Sequence, residues 1–294
     1  MGWFRFVAEP PSTPKGVVKR PQVSKVGVHY NTKWARRPMA RMVREASVYG
    51  FMKPVIGFYG SPRVIGLDRL NGLEGPVLFA ANHHSHADTS LLLATIPTRL
   101  RRRLAVVAAA DYFFPNKFTS AVSALFLGAI PMERQKLSKL SIENALSAVK
   151  EGYSLLVFPE GGRSPDGWGQ RHRPGAAFVA KRTGIPVVPV YLDGTGRILP
   201  KGRNWPRRAR CAVVFGSPLQ LDASEDARAF AERIERRVSE LADEFATGWW
   251  QSRRRAHSGQ TPPLDGPETA AWRRRWALGP TPSRKRPKPR WPNL

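Results

Sequence analysis

The stretch Pro76-Val77-Leu78-Phe79-Ala80-Ala81-Asn82-His83-His84-Ser85-His86-Ala87-Asp88-Thr89 decides how this chain reads. An apolar run that stops abruptly at a polar cluster predicts a buried strand delivering side chains to the edge of a sheet. The residues that follow, Ser90 to Ile96, predict a helix opening near Asp88. His83 and Asp88 therefore fall on either side of a strand-to-helix turn. A carboxylate there can hold one imidazole nitrogen in a fixed tautomer and leave the other to take a proton from a hydroxyl. The spacing alone also fits a helix N-cap aspartate beside a packed histidine.

Working outward, strand-like and helix-like runs alternate. Strands are expected at Arg63–Leu67, Val77–Ala81, Leu104–Ala109, Leu127–Met132, Ser154–Phe158, Ile185–Leu192 and Cys211–Phe215. Ile142, Ala145, Leu146 and Val149 make an apolar stripe on a helix from about Ser138 to Lys150, and a second helix runs from Pro174 to Thr183. Asp222, with Glu225 three positions on, is the expected cap of a long helix whose stripe is Phe230, Ile234, Val238, Leu241 and Phe245. This alternation is an α/β pattern. It occupies residues 46–247, between a basic N-terminal arm (1–45) and a basic Trp- and Pro-rich tail (248–294), both expected to be flexible.

The 294 residues carry 48 Lys and Arg against 22 Asp and Glu, a formal charge of +26. Residues 1–45 hold 10 basic against 2 acidic side chains, and residues 249–294 hold 11 against 2, so the short ends carry most of the excess. Such a surface calls for an anionic partner. No run approaches the ~20 apolar residues of a spanning helix. The nearest, Ala46–Tyr59, is split by Lys53-Pro54 and reads as an interfacial segment or a core-packing helix. No signal peptide is apparent, and the single Cys211 suits a reducing compartment. A cytoplasmic protein, peripheral on the inner face of the plasma membrane, is the resulting expectation.

Two more segments sharpen the His83–Asp88 reading: Gly128-Ala129-Ile130-Pro131-Met132-Glu133-Arg134 and Phe158-Pro159-Glu160-Gly161-Gly162-Arg163-Ser164. With His-x4-Asp before them and Val188-Pro189-Val190 after, the chain resembles the glycerophospholipid acyltransferases over roughly residues 60–220. The resemblance implies a mixed sheet wrapped by helices and transfer of an acyl group from acyl-CoA or acyl carrier protein to a lysophospholipid. The acceptor it favours is 1-acylglycerol 3-phosphate, with glycerol 3-phosphate, another lysolipid or a glycolipid as alternatives. His83 becomes the general base and Asp88 its orienting partner. Arg134, Glu160, Gly161, Gly162, Arg163 and Arg173 become the acceptor-phosphate site. No metal or cofactor is implied beyond the thioester co-substrate. His84 and His86 fall at variable positions and read as exposed or structural. Gly162 stands where the family carries Thr, and His172-Arg173-Pro174-Gly175 where many relatives carry Phe-Lys-Arg-Gly.

Two other classes compete. His84-Ser85-His86-Ala87-Asp88 imitates a two-metal hydrolase signature, but Thr89 stands where its next histidine belongs. The tryptophans set among arginines in the tail fit a basic nucleic-acid-binding protein, though no recognition module is visible and no specific nucleic acid partner is expected.

Overall fold

The computed structural model describes residues 27–133, 138–164, 167–200, 205–222 and 224–265. In chain order its regular elements begin with α1 (Pro38–Ser47), α2 (Lys53–Gly60), β1 (Arg63–Ile65), β2 (Leu78–Ala81), α3 (Ala87–Thr95), α4 (Thr98–Arg101), β3 (Leu104–Ala109), α5 (Ala110–Phe113) and α6 (Lys117–Val122). They continue with β4 (Ala129–Met132), α7 (Lys139–Lys150), β5 (Ser154–Val157), α8 (Gly175–Thr183), β6 (Val187–Asp193), α9 (Thr195–Ile198), β7 (Ala212–Phe215), α10 (Ala227–Thr247) and α11 (Trp249–His257).

The seven strands form one sheet in the order β1-β7-β6-β2-β5-β3-β4. Every neighbouring pair is parallel except β6 with β7. Five strands thus run one way, and β7 and β1 run the other. The sheet is mixed, as expected, and all seven anticipated strands are present, most with trimmed ends, β3 with its expected bounds and β6 reaching one residue further, to Asp193. Parallel strands covered on both faces need apolar side chains on both. In β2, Phe79 and Ala81 enter one core with Leu91 to Leu93 of α3 and Ile56 of α2. Leu78 and Ala80 enter the other, with Ala177 and Val179 of α8 and Phe230 and Ile234 of α10.

Part of the expected flexible arm is built into the fold from Gly27 onward, and α1 packs through Arg44, which is only 3% exposed. Its guanidinium donates to the carbonyls of Ala35, Ala124 and Leu125 at 2.8–3.0 Å. The last two lie in the π-turn Ser123–Leu127, which leaves carbonyls at its end that a cation can satisfy. An arginine counted as surface charge is therefore an internal brace. Residues 1–26, and in the tail residues 266–294, lie outside the described residues.

Lys53-Pro54 does not split the next segment. A π-turn over Val48–Met52, in which the Lys53 amide donates to the Val48 carbonyl, joins α1 to α2. The wider turn accommodates the proline, which has no N–H and would crowd an α-helical carbonyl. Val48, Met52 and Ile56 face the core, while Phe51 and Phe58 are exposed. Among the described residues no helix is long and apolar enough to cross a membrane.

The cap of the long helix also differs from expectation. Asp226 accepts from the amides of Arg228 and Ala229, while Glu225 pairs with Arg233. Asp222 sits outside the cap, its amide donating to Glu225. The tail begins as a helix, not a coil: in α11, Ser252 is buried, its hydroxyl donating to the Glu240 carbonyl, and Arg255 pairs with Asp243 at 2.6 Å. Beyond it the Leu264 carbonyl accepts from the Gly169 amide at 2.8 Å, so the C-terminal segment touches the loop that follows the turn at Glu160.

The Arg44 brace is directly testable. Arg44→Met keeps the bulk but strands three carbonyls, and each lost bond to a charged donor is worth ~1.5–3 kcal/mol. Urea unfolding should show the variant destabilised by at least ~3 kcal/mol, whereas an unshifted midpoint contradicts the brace.

Candidate active site

The five co-directional strands place their carboxyl ends on one edge, where α/β sheets bind ligands. Three segments at that edge build the site: the loop from β2 into α3, the short helix α5 that follows β3 directly, and the loop from β5 into α8.

The first carries the His–Asp pair. Asp88 is fully buried near the start of α3, and its Oδ2 accepts from His83 Nδ1 at 2.8 Å and from the amides of His84 and Ser85 at 2.7 and 2.9 Å. These donors fix the turn around one carboxylate oxygen. With the Nδ1 proton directed at Asp88, His83 Nε2 is the proton acceptor. The ring lies flat on Phe158 at 4.0 Å between centroids and 19° between planes. The imidazole is thus held at one edge and on one face.

Two residues absent from the sequence-based site complete the loop. Asn82 is buried and pairs through both ends of its amide with the backbone of Leu192 on β6, at 2.7 and 2.9 Å. It acts as one more rung of the sheet past the end of β2. Ser85 donates to the Leu199 carbonyl and accepts from the Ala87 amide. A signal for both exists in the sequence: a small polar side chain directly after a buried strand has to be satisfied there.

The loop that leaves β5 follows Phe158. Glu160, expected at the acceptor phosphate, is only 2% exposed, and both of its carboxylate oxygens are occupied. They accept from the amides of His83 and Gln170 at 2.9 and 3.1 Å. A buried carboxyl group so engaged ties the two loops together and leaves neither oxygen facing a ligand. Gly161 has φ +72°, and a Cβ there would meet the Arg173 guanidinium at 2.9 Å, so glycine lets Arg173 lie across the turn. The Gly162 carbonyl accepts from the Gln170 side chain. The Ser164 amide donates to the His83 carbonyl at 2.8 Å, so half-buried Arg163 directly precedes a residue tied to the loop of the base. Arg134 lies outside the described residues; Glu133 before it lines the cavity.

That cavity, about 300 Å³, opens between the loops. His83, His86, Gly161, Gly162 and Arg173 line its polar side, and Val106, Phe113, Leu127, Met132 and Val157 are among its apolar lining. His86, expected to be exposed or structural, is part of the wall. The two-metal reading finds no support in the geometry, since Asp88 Oδ2 is committed to His83 and two amides, and no group of three metal-ligating side chains occurs among the described residues.

Burial pushes the Glu160 carboxyl up to about 8, with nearby Asp88 adding to the rise against the two amides that favour its charge. A carboxyl whose folded pKa is raised from 4.5 to about 8 binds more protons folded than unfolded in that window. Stability from this group is therefore full below pH 4.5 and is lost as pH climbs through 8. Thermal unfolding of wild type and Glu160→Gln at pH 5 and pH 8 should show wild type losing ground to the variant as pH rises; a pH-independent difference contradicts the burial of an ionisable group here.

Residues 61–193 match the family model described as Acyltransferase. A chloroplastic 1-acyl-sn-glycerol-3-phosphate acyltransferase from Brassica napus is 31% identical over 166 residues, covering 56% of this chain and 44% of that protein. A 1-acyl-sn-glycerol-3-phosphate acyltransferase from Bacillus subtilis is 22% identical over 201 residues, covering 66% of this chain and 94% of that protein. The chain spans less than half the length of the Brassica napus relative. The crystal structure of the 1-acyl-sn-glycerophosphate acyltransferase from Thermotoga maritima superimposes with a TM-score of 0.58 at 21% identity, covering 75% of this chain and 85% of that one, a likeness of fold. Together with the ordered motifs and the sheet that carries them, these matches identify residues 61–193 as an acyltransferase-family domain, similar in sequence to 1-acyl-sn-glycerol-3-phosphate acyltransferases.

Proposed function

We propose that the protein transfers a fatty acyl group from an acyl thioester to the free hydroxyl of 1-acylglycerol 3-phosphate, giving phosphatidic acid. One observation carries this reading: an imidazole oriented by a buried carboxylate at 2.8 Å opens onto a mainly apolar cavity with Arg173 in its wall. The apolar wall suits an acyl chain, and Arg163 and Arg173 suit a phosphate. The names of the relatives support the same acceptor.

In this mechanism the acceptor hydroxyl gives its proton to His83 Nε2 as its oxygen attacks the thioester carbonyl. Asp88 stabilises the imidazolium that forms. The tetrahedral intermediate collapses, the C–S bond breaks, and the departing sulfur takes the proton from His83 to leave as a thiol. No group of the protein is acylated. The thioester carrier is acyl-CoA or acyl carrier protein, since either releases a thiol in this step.

The reaction needs access to lipid, and α1 with the π-turn after it supplies a surface for it. Met39 and Met42 are 71% and 65% exposed and Phe51 is 65% exposed, with Arg37 and Arg41 among them. Apolar side chains interleaved with arginines fit the boundary of an anionic bilayer. On this reading the protein is peripheral, bound at the inner face of the plasma membrane.

Two measurements test the proposal. His83→Ala should lower turnover by ~100- to 10,000-fold, the usual worth of a positioned base, and Asp88→Asn by somewhat less, with the fold intact by circular dichroism. Full turnover in His83→Ala removes the assigned base. Replacing Met39, Met42 and Phe51 together by serine should weaken sedimentation with anionic vesicles by about tenfold or more, at roughly 25 cal/mol per Å² of lost apolar burial. Unchanged sedimentation moves the lipid contact elsewhere.

A further inference from the structure

The short helix α5, which follows β3 directly, contributes a side chain that neither the motifs nor the proposed mechanism uses. Tyr112 is half exposed, yet it meets both of the loops that carry the motifs. Its hydroxyl lies 2.9 Å from His86 Nε2, and the two rings stack at 5.0 Å with 24° between planes. His86 is the residue before α3, two positions from Asp88. The Arg163 guanidinium carbon lies 6.0 Å from the centre of the Tyr112 ring, within cation–π range. Phe113 braces the ring edge-on at 5.0 Å and lines the cavity.

We propose that Tyr112 is a positioning residue that sets affinity for the acceptor by holding Arg163 in register with the His83 loop. This rests on the reading of Arg163 as an acceptor-phosphate ligand. In a lysophosphatidic acid, the phosphate and the free hydroxyl stand at a separation limited by the short glycerol backbone. If Arg163 takes the phosphate while the hydroxyl meets His83, the two loops must keep a matching separation. An arginine side chain has many rotamers, and a positively charged group over an aromatic face loses fewer productive ones. Stacking on His86 anchors that face to the loop that carries the base. Because Tyr112 is half exposed, its removal empties little of the core, so its effect belongs to the site and not to the fold.

The test uses full-length wild type, Tyr112→Ala and Tyr112→Phe, assayed with acyl-CoA and 1-acylglycerol 3-phosphate in mixed micelles. Tyr112→Ala should raise the acceptor KM by about tenfold, the scale of one lost cation–π contact and a loosened orientation. Its acyl-CoA KM and melting temperature should stay at wild-type values. Tyr112→Phe keeps the ring and loses only the hydroxyl, so its acceptor KM should stay within about threefold of wild type. An unmoved acceptor KM in Tyr112→Ala overturns the proposal, as does an equal rise in the acyl-CoA KM or a Phe variant as impaired as Ala. Those results require an active wild type. A wild type that acylates no 1-acylglycerol 3-phosphate instead removes the functional reading on which the proposal stands.

Discussion

The carboxylate of Asp88 is the constraint on which the site depends. It is fully buried, and one of its oxygens gathers the His83 imidazole and two successive backbone amides. A buried charge is tolerable only when it is well supplied with donors. The turn after β2 folds so as to supply them, and the imidazole is one of the three. The same contacts that make the charge tolerable therefore aim the base, and its orientation is set by folding before any substrate arrives. Glu160 repeats the device one loop away, with two amides from different loops on one buried carboxyl group. Both acids of the site are thus held by backbone donors that converge on them.

This arrangement separates two duties that the motif merges. In Phe158-Pro159-Glu160-Gly161-Gly162-Arg163, the aromatic ring supports the imidazole and the carboxylate joins loops. Gly161 makes room for Arg173, and Arg163 lies half-buried against the Tyr112 ring. On the proposed reading, phosphate recognition falls to the arginines, and glutamate serves the scaffold. Gly162, in place of the family's usual Thr, still serves that scaffold, because the residue contributes its carbonyl to Gln170.

Most of the sheet was legible in the sequence because its strands are buried on both faces, and short apolar runs bounded by turn residues favour a buried strand over a helix. The His83–Asp88 pair was legible for a similar reason: polar residues clustered at the end of such a run have to find partners. What was not legible depends on distant segments. Arg44 reads as surface charge until the carbonyls of residues 124 and 125 appear beside it. Pro54 reads as a break because a π-turn leaves no composition signal. Tyr112 lies 26 residues from His86 and 51 from Arg163, and only the sheet order brings the three segments together. Asp226 took the cap from Asp222 because the helix starts one turn later than its charge pattern suggests.

The central claim is that His83 acts as a base on the acceptor and that no group of the protein carries the acyl chain. Rapid-quench intact-mass measurement after mixing the protein with acyl-CoA, first without and then with 1-acylglycerol 3-phosphate, tests it most directly. The account predicts unmodified protein in both cases and phosphatidic acid only in the second. A stoichiometric acyl adduct on the protein that forms without acceptor and decays when acceptor is added would contradict it.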